Sequence, residues 1–207
     1  EARSYYMDAL VQIGENKYQS AKESIENAIN ISPNNEEYIS MKKLIILFSF
    51  VLIGLNLTSQ IDSAKYYFNE AYNSSDYNYR IVNYTKCLRL NPNYAEVYYN
   101  RGITYYNLDK YQLAIDDYNN VIRIKPDDAD AYYNRGITYY NLGKDQLAID
   151  DYNSAIQINP NFVQAYLNRG NTYDDLSKYQ LAIDDYNKAI RINPDYAEAY
   201  FDRGVAY

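Results

Sequence analysis

The sequence predicts an all-α fold, an open solenoid of antiparallel helical hairpins, and three observations predict it. Ala95–Asp128 lies over Ala129–Phe162 with 24 of 34 positions identical, and Val163–Tyr196 is a third copy at the same step. The prolines Pro92, Pro126, Pro160 and Pro194 keep that 34-residue step. Within each copy, bulky and small residues fall at helical spacing twice, on either side of a short polar turn. A fixed period of this size marks a solenoid.

Composition fits a thin, two-layer structure. The chain has 207 residues, of which 47% are hydrophobic and 16% aromatic, with 29 Tyr, 5 Phe and no Trp. Tyrosine packs its ring and keeps a wet hydroxyl. The net charge is −7, which repels phosphate backbones and excludes nucleic acid as an expected partner. There is no histidine and one cysteine, Cys87. Histidine acid/base chemistry, a Cys–His nucleophile, a His/Cys zinc site and an intrachain disulfide are therefore excluded. Cys87 falls where the other copies carry a small buried residue, so packing is its expected role. No cofactor and no metal are expected. A chain that opens at Glu1 and stops inside a repeat is expected to be part of a longer protein.

In chain order, residues 1–40 carry the pattern in diverged form, with helices expected over 3–14 and 17–31. Tyr5, Ala9, Tyr18, Ala21, Ile25, Ala28 and Pro33 are spaced like Tyr98, Gly102, Tyr111, Ala114, Tyr118, Val121 and Pro126. Residues 41–60 break it. Met41, Lys42 and Lys43 precede the apolar-rich run Leu44–Leu57, and small polar residues follow, the layout of a secretory signal peptide. As a helix that run spans only about 21 Å, too short for a stable membrane span. Three readings fit it. Met41 is the true start of one protein, with Glu1–Ser40 joined from another copy or a neighbouring polypeptide. Alternatively, an upstream extension masks a real signal, or this is a strongly apolar repeat helix buried between its neighbours.

Residues 61–94 return to the array in degenerate form, with Phe68 at the glycine position and Arg80 at the alanine position. This copy must pack differently, as a first repeat does when one side faces no predecessor. The clear repeats are 95–128, 129–162 and 163–196, and 197–207 holds the first helix of another. In the first helix Tyr98, Gly102 and Tyr105 share one face; in the second, Tyr111, Ala114, Tyr118 and Val121 do. The turns are Asp109–Lys110, Gly143–Lys144 and Ser177–Lys178. Proline disfavours helix in the residue before it, so Pro126 and its equivalents end the second helix. Glycine inside a helix costs roughly 1 kcal/mol against alanine. Its recurrence at Gly102, Gly136, Gly170 and Gly204 is expected to permit close approach against Ala114, Ala148 and Ala182.

This combination resembles the tetratricopeptide repeat, clearly over 95–207 and in diverged form over 2–35 and 61–92. Arg101, Arg135, Arg169 and Arg203 depart from that pattern, where leucine is commoner, and Asp145 stands where Tyr111 and Tyr179 show the aromatic. The resemblance implies a right-handed superhelix whose first helices line a concave groove for a protein or peptide ligand. Carried onto this chain, the groove residues are Tyr99, Asn100, Ile103, Tyr106 and Asn107, then Tyr133, Asn134, Ile137, Tyr140 and Asn141. The third copy adds Leu167, Asn168, Asn171, Asp174 and Asp175. Asn100, Asn134 and Asn168 form a row of amides able to bond a ligand backbone or each other's helices. The basic clamp that some relatives use for a terminal carboxylate is missing, since these positions are neutral or acidic.

Each arginine is matched by an acidic pair, Asp116/Asp117, Asp150/Asp151 and Asp184/Asp185, and Arg–Asp bridges between helices or repeats are expected. Neighbouring helical residues point about 100° apart, so neither metal binding nor catalysis by the pairs is expected. The expected function is a non-catalytic interaction scaffold, with no enzymatic activity. If 41–60 acts as a signal peptide, its place is the periplasm, the outer envelope of a bacterial cell or the outside; otherwise it is the cytoplasm. Two alternatives stand beside it. One is an accessory or oligomerisation region of a larger enzyme, and the other is a structural array that self-associates through exposed ends.

Overall fold

The computed structural model describes residues 1–2, 4–5 and 18–206, the side chains of 18, 19, 48, 51–57 and 59 excepted. Most of the helix expected over 3–14 lies outside the described residues. The chain divides into two compact units, Glu1–Asp62 and Ser63–Tyr207.

The first unit holds α1 (Tyr18–Ile31) and the beginning of α2 (Glu36–Tyr72). Ala21, Ile25 and Ala28 follow the helical step on α1 and are fully buried against Tyr38 and Ile45 of α2. The Asn35 side chain starts α2, its Oδ1 accepting from the backbone N–H of Glu37 (3.0 Å) and Tyr38 (3.2 Å). Glu36 and Glu37 in the first turn suit the positive end of the helix dipole. From there α2 runs through the whole of 41–60 as helix. The sequence pattern marked an interruption here, but between Pro33 and Tyr72 no proline breaks the backbone. Within 41–60 Ile45 is the one fully buried apolar side chain among the described residues, while Leu44, Ile46, Leu47 and Phe50 are exposed. The reading of this stretch as a helix buried between neighbours does not hold for those four. Among the described residues no helix is long and apolar enough to cross a membrane.

The second unit is a helical-repeat solenoid. The end of α2 and α3 (Tyr77–Leu90) make the degenerate hairpin. The clear hairpins are α4 (Ala95–Tyr106) with α5 (Tyr111–Ile124), α6 (Ala129–Asn141) with α7 (Asp145–Ile158), and α8 (Val163–Asp175) with α9 (Tyr179–Ile192). The last helix is α10 (Ala197–Val205). Each second helix packs on the first helix of the next hairpin, and α4, α6 and α8 also touch in succession. Tyr84, Tyr118, Tyr152 and Tyr186 are the fully buried rings of the second helices, with Cys87, Val121, Ala155 and Ala189 one turn on.

The turns repeat one geometry. Asp109 (φ 56°), Gly143 (φ 66°) and Ser177 (φ 56°) take the left-handed conformation. The next residue returns its N–H to the carbonyl five back, Lys110 to Tyr105 (2.9 Å), Lys144 to Tyr139 (2.9 Å) and Lys178 to Tyr173 (2.8 Å), the Schellman closure. At the other end Lys125, just before Pro126, leaves the helix at φ −131°, ψ 86°, as proline requires of its neighbour.

The helical glycines correct one expectation. A Cβ at Gly102 would stand 2.8 Å from Cε1 of Tyr118, at Gly136 2.8 Å from Cε1 of Tyr152, and at Gly170 2.6 Å from Cε1 of Tyr186. The close approach is therefore to the buried tyrosine ring of the second helix. At Gly136 the Ala148 carbonyl also stands 3.3 Å away. Where Phe68 replaces the glycine, the degenerate hairpin fills the space with rings instead. Phe68 stacks on Tyr72 and Tyr94 at 5.7 and 5.6 Å.

Candidate functional site

The arginines that replace leucine are structural. Arg135 donates through Nε and Nη2 to Oδ2 and Oδ1 of Asp151 at 2.7 and 2.6 Å, and through Nη1 to Asn119 of the preceding hairpin at 2.5 Å. Arg101 makes the same fork to Asp117 (2.8 and 2.7 Å) and reaches Thr85 at 2.9 Å. Arg169 pairs with Asp185 and donates to Asn153, and Arg203 donates to Asn187 at 2.7 Å. The expected Arg–Asp bridges are thus present, each anchored by the buried aspartate of its pair. The other, Asp116, Asp150 or Asp184, accepts from a glutamine one turn earlier. Burial holds Asp117, Asp151 and Asp185 above the usual carboxylate range despite the guanidinium beside each. The anchors Asn119, Asn153 and Asn187 were not singled out in the sequence, although they recur at the same period sixteen residues before each arginine.

The first helices carry the candidate groove. Its floor is the row Tyr99, Tyr133 and Leu167. Tyr99 packs on Tyr118 at 6.2 Å, and Tyr133 on Tyr152 and Phe162 at 6.1 and 4.8 Å. Leu167 is 3% exposed and sits in the apolar core with Ile183 and Tyr186. Burial pushes the Tyr133 hydroxyl up to about 12. The amide row ties helices together. Asn134 Nδ2 donates to Tyr99 Oη (2.9 Å), and Asn168 Nδ2 to Tyr133 Oη (3.0 Å), while Asn100 Nδ2 bonds back to the Glu96 carbonyl (2.8 Å). A second ladder runs beside it, Asn141 Nδ2 to Tyr106 Oη at 2.7 Å and Tyr140 Oη to Asp175 Oδ2 at 2.5 Å. The bond to Asp175 pushes Tyr140 up to about 12.

Between these rows lie two adjoining cavities. One, of about 190 Å³, is lined by Tyr106, Ile137, Tyr140, Asn141, Tyr152, Asn168 and Asn171. The next, of about 260 Å³, shares Tyr140 and Asn171 and adds Asp174, Asp175, Tyr186, Phe201, Asp202 and Val205. Asn171 stands at this junction, its Oδ1 accepting from Tyr186 Oη at 2.8 Å; with the amide turned over, Nδ2 would donate to Tyr186 Oη and to Asp202 Oδ2. Ile103 and Asn107 line neither cavity. Phe201, Asp202 and Val205 were not in the predicted set. A shift of 34 residues from Leu167, Asn168 and Asn171 reaches them. A separate hollow of about 200 Å³ lies between Glu96, Tyr99, Lys125, Asp128 and Asp130. Among the described residues no cluster of His, Cys, Asp and Glu could hold a metal ion.

Sequence models described as tetratricopeptide or TPR repeat match residues 2–35, 83–116, 108–143, 129–162 and 163–196. The chain belongs to the tetratricopeptide repeat (TPR) family. Residues 36–82, where α2 carries the apolar run, fall outside the matches. No curated protein matches the chain. Among solved structures, the MamA protein is 29% identical, with a TM-score of 0.67 over 70% of this chain and 81% of that one. The first TPR of Spaghetti (RPAP3), bound to the HSP90 peptide SRMEEVD, is 29% identical with a TM-score of 0.53, covering 54% of this chain and 89% of its own. The Arabidopsis OM64 TPR domain is 27% identical at a TM-score of 0.53 over 54% of this chain and 93% of its own.

Proposed function

We propose that this TPR array is a non-catalytic interaction scaffold that holds an extended segment of a partner protein along α6, α8 and α10. The observation that carries this is the pair of cavities sharing Tyr140 and Asn171, lined by equivalent positions of successive repeats. Such a run offers side-chain pockets at a regular step, which suits a linear ligand rather than a compact one. The RPAP3 repeat solved with a peptide supports the same use of the fold. Lys42 and Lys43 ahead of the apolar run support a working place in a bacterial cell envelope or outside the cell; sequencing the N-terminus of the secreted or envelope-bound protein tests that directly.

For the groove, a peptide array probed with the wild-type chain and with Ile137→Glu is the test. Ile137 lines the first cavity beside tyrosine rings and the amides of Asn141, Asn168 and Asn171, and a carboxylate there removes its apolar contact with a ligand side chain. The spots bound by wild type should be lost in the variant while circular dichroism stays unchanged. Identical spot patterns would overturn the proposal.

A further inference from the structure

We propose that the α8–α10 end of the groove is selective for a cationic segment, an extended peptide carrying lysine or arginine beside an apolar side chain. This rests on the groove being the binding face. Asp174, Asp175 and Asp202 line the second cavity together with Phe201, Val205 and the ring of Tyr140. Elsewhere in the repeats the buried aspartates have their arginines, but the salt bridges among the described residues include none to these three carboxylates. Asp174 Oδ1 is buried and has no hydrogen-bond partner. A desolvated carboxylate oxygen without a donor is costly, and a ligand ammonium or guanidinium would supply the donor.

The surroundings carry the same imbalance. Asp202 lies above the usual carboxylate range, through burial first and then the charges of Glu198 and Asp174. Burial, and after it Asp174, Asp202 and Asp175, pushes the Tyr186 hydroxyl upward. Phe201 and Val205 line the same cavity beside these acids, so an apolar residue next to the cation has side chains to pack against. The two features recur together only at this end, because the same positions in the earlier copies hold Asn134 and Asn168, Tyr106 and Tyr140, Asn107 and Asn141. Repulsion from the carboxylates turns acidic segments away.

Fluorescence anisotropy on the full chain tests this with a labelled peptide alternating leucine and lysine, and with counterparts carrying glutamine or glutamate for lysine. The lysine peptide should bind roughly tenfold more tightly than the glutamine one, the summed effect of several partly screened pairs, and the glutamate peptide should not bind. The variant D174N/D175N/D202N should erase that preference. The variant D116N/D150N/D184N removes the same charge from the second helices and should leave it intact. Equal binding of lysine and glutamine peptides, or equal weakening by the two variants, would overturn the proposal. If no cationic peptide binds but Ile137-dependent spots exist on the array, selectivity fails and the groove stands. If the array pattern also ignores Ile137→Glu, both fail.

Discussion

A methyl group added at Gly136 should cost stability. The new Cβ meets the fully buried Tyr152 ring and the Ala148 carbonyl, and forcing them apart costs about 1–3 kcal/mol. The urea midpoint of Gly136→Ala measures it. Arg135→Met probes the fork, since it strands Asp151, which is 5% exposed; a loss of about 3–5 kcal/mol is expected, against a much smaller loss when Asp151→Leu accompanies it. At this scale the sequence was readable wherever one residue's type implied its partner. Arginine against an acidic pair is such a case. Tyr99 and Asn134 were not, because a tyrosine and an amide on a helix surface serve a ligand or a neighbour equally well, and only their 2.9 Å bond decides.

The turns give the prediction that belongs to an element. Ser177 holds a left-handed backbone that Gly143 holds at no steric cost. Ser177→Gly should stabilise the α8–α9 hairpin by roughly 0.5–1 kcal/mol, relief of strain less the added freedom of the unfolded chain. Gly143→Ser should lose a similar amount, and thermal melts of both read it. Helix boundaries in the clear repeats followed from proline and turn residues, whose backbone demands are local. The extent of α2 did not. Its start is marked by Asn35, but the 37 residues of the helix change from amphipathic to apolar and back without a proline. A hydrophobic period reports which face is covered, and this helix changes its surroundings along its length.

For the whole molecule, alkaline pH is the expected weak point. Burial raises Tyr99, Tyr118, Tyr133, Tyr152 and Tyr186 above the ordinary tyrosine value. A group whose folded value is raised stabilises the fold fully below its unfolded value, about 10, and that contribution is lost as pH rises through the folded one. Phenolate absorbance should therefore show a late-titrating class that appears together with loss of helicity; independent titration with helicity intact would refute it. Ser63–Tyr207 forms a compact unit and, expressed alone, should keep a cooperative helical melt. Within that unit the seams that join α4, α6 and α8 are fastened along two separate lines. Arginine reaches back to the previous second helix, as Arg135 does to Asn119, and amides or carboxylates link successive first helices, as Asn168 does to Tyr133. Two lines of attachment resist hinging about either one. The groove therefore behaves as a stiff ruler whose marks stand at fixed intervals, and a ligand matches its spacing or leaves pockets empty.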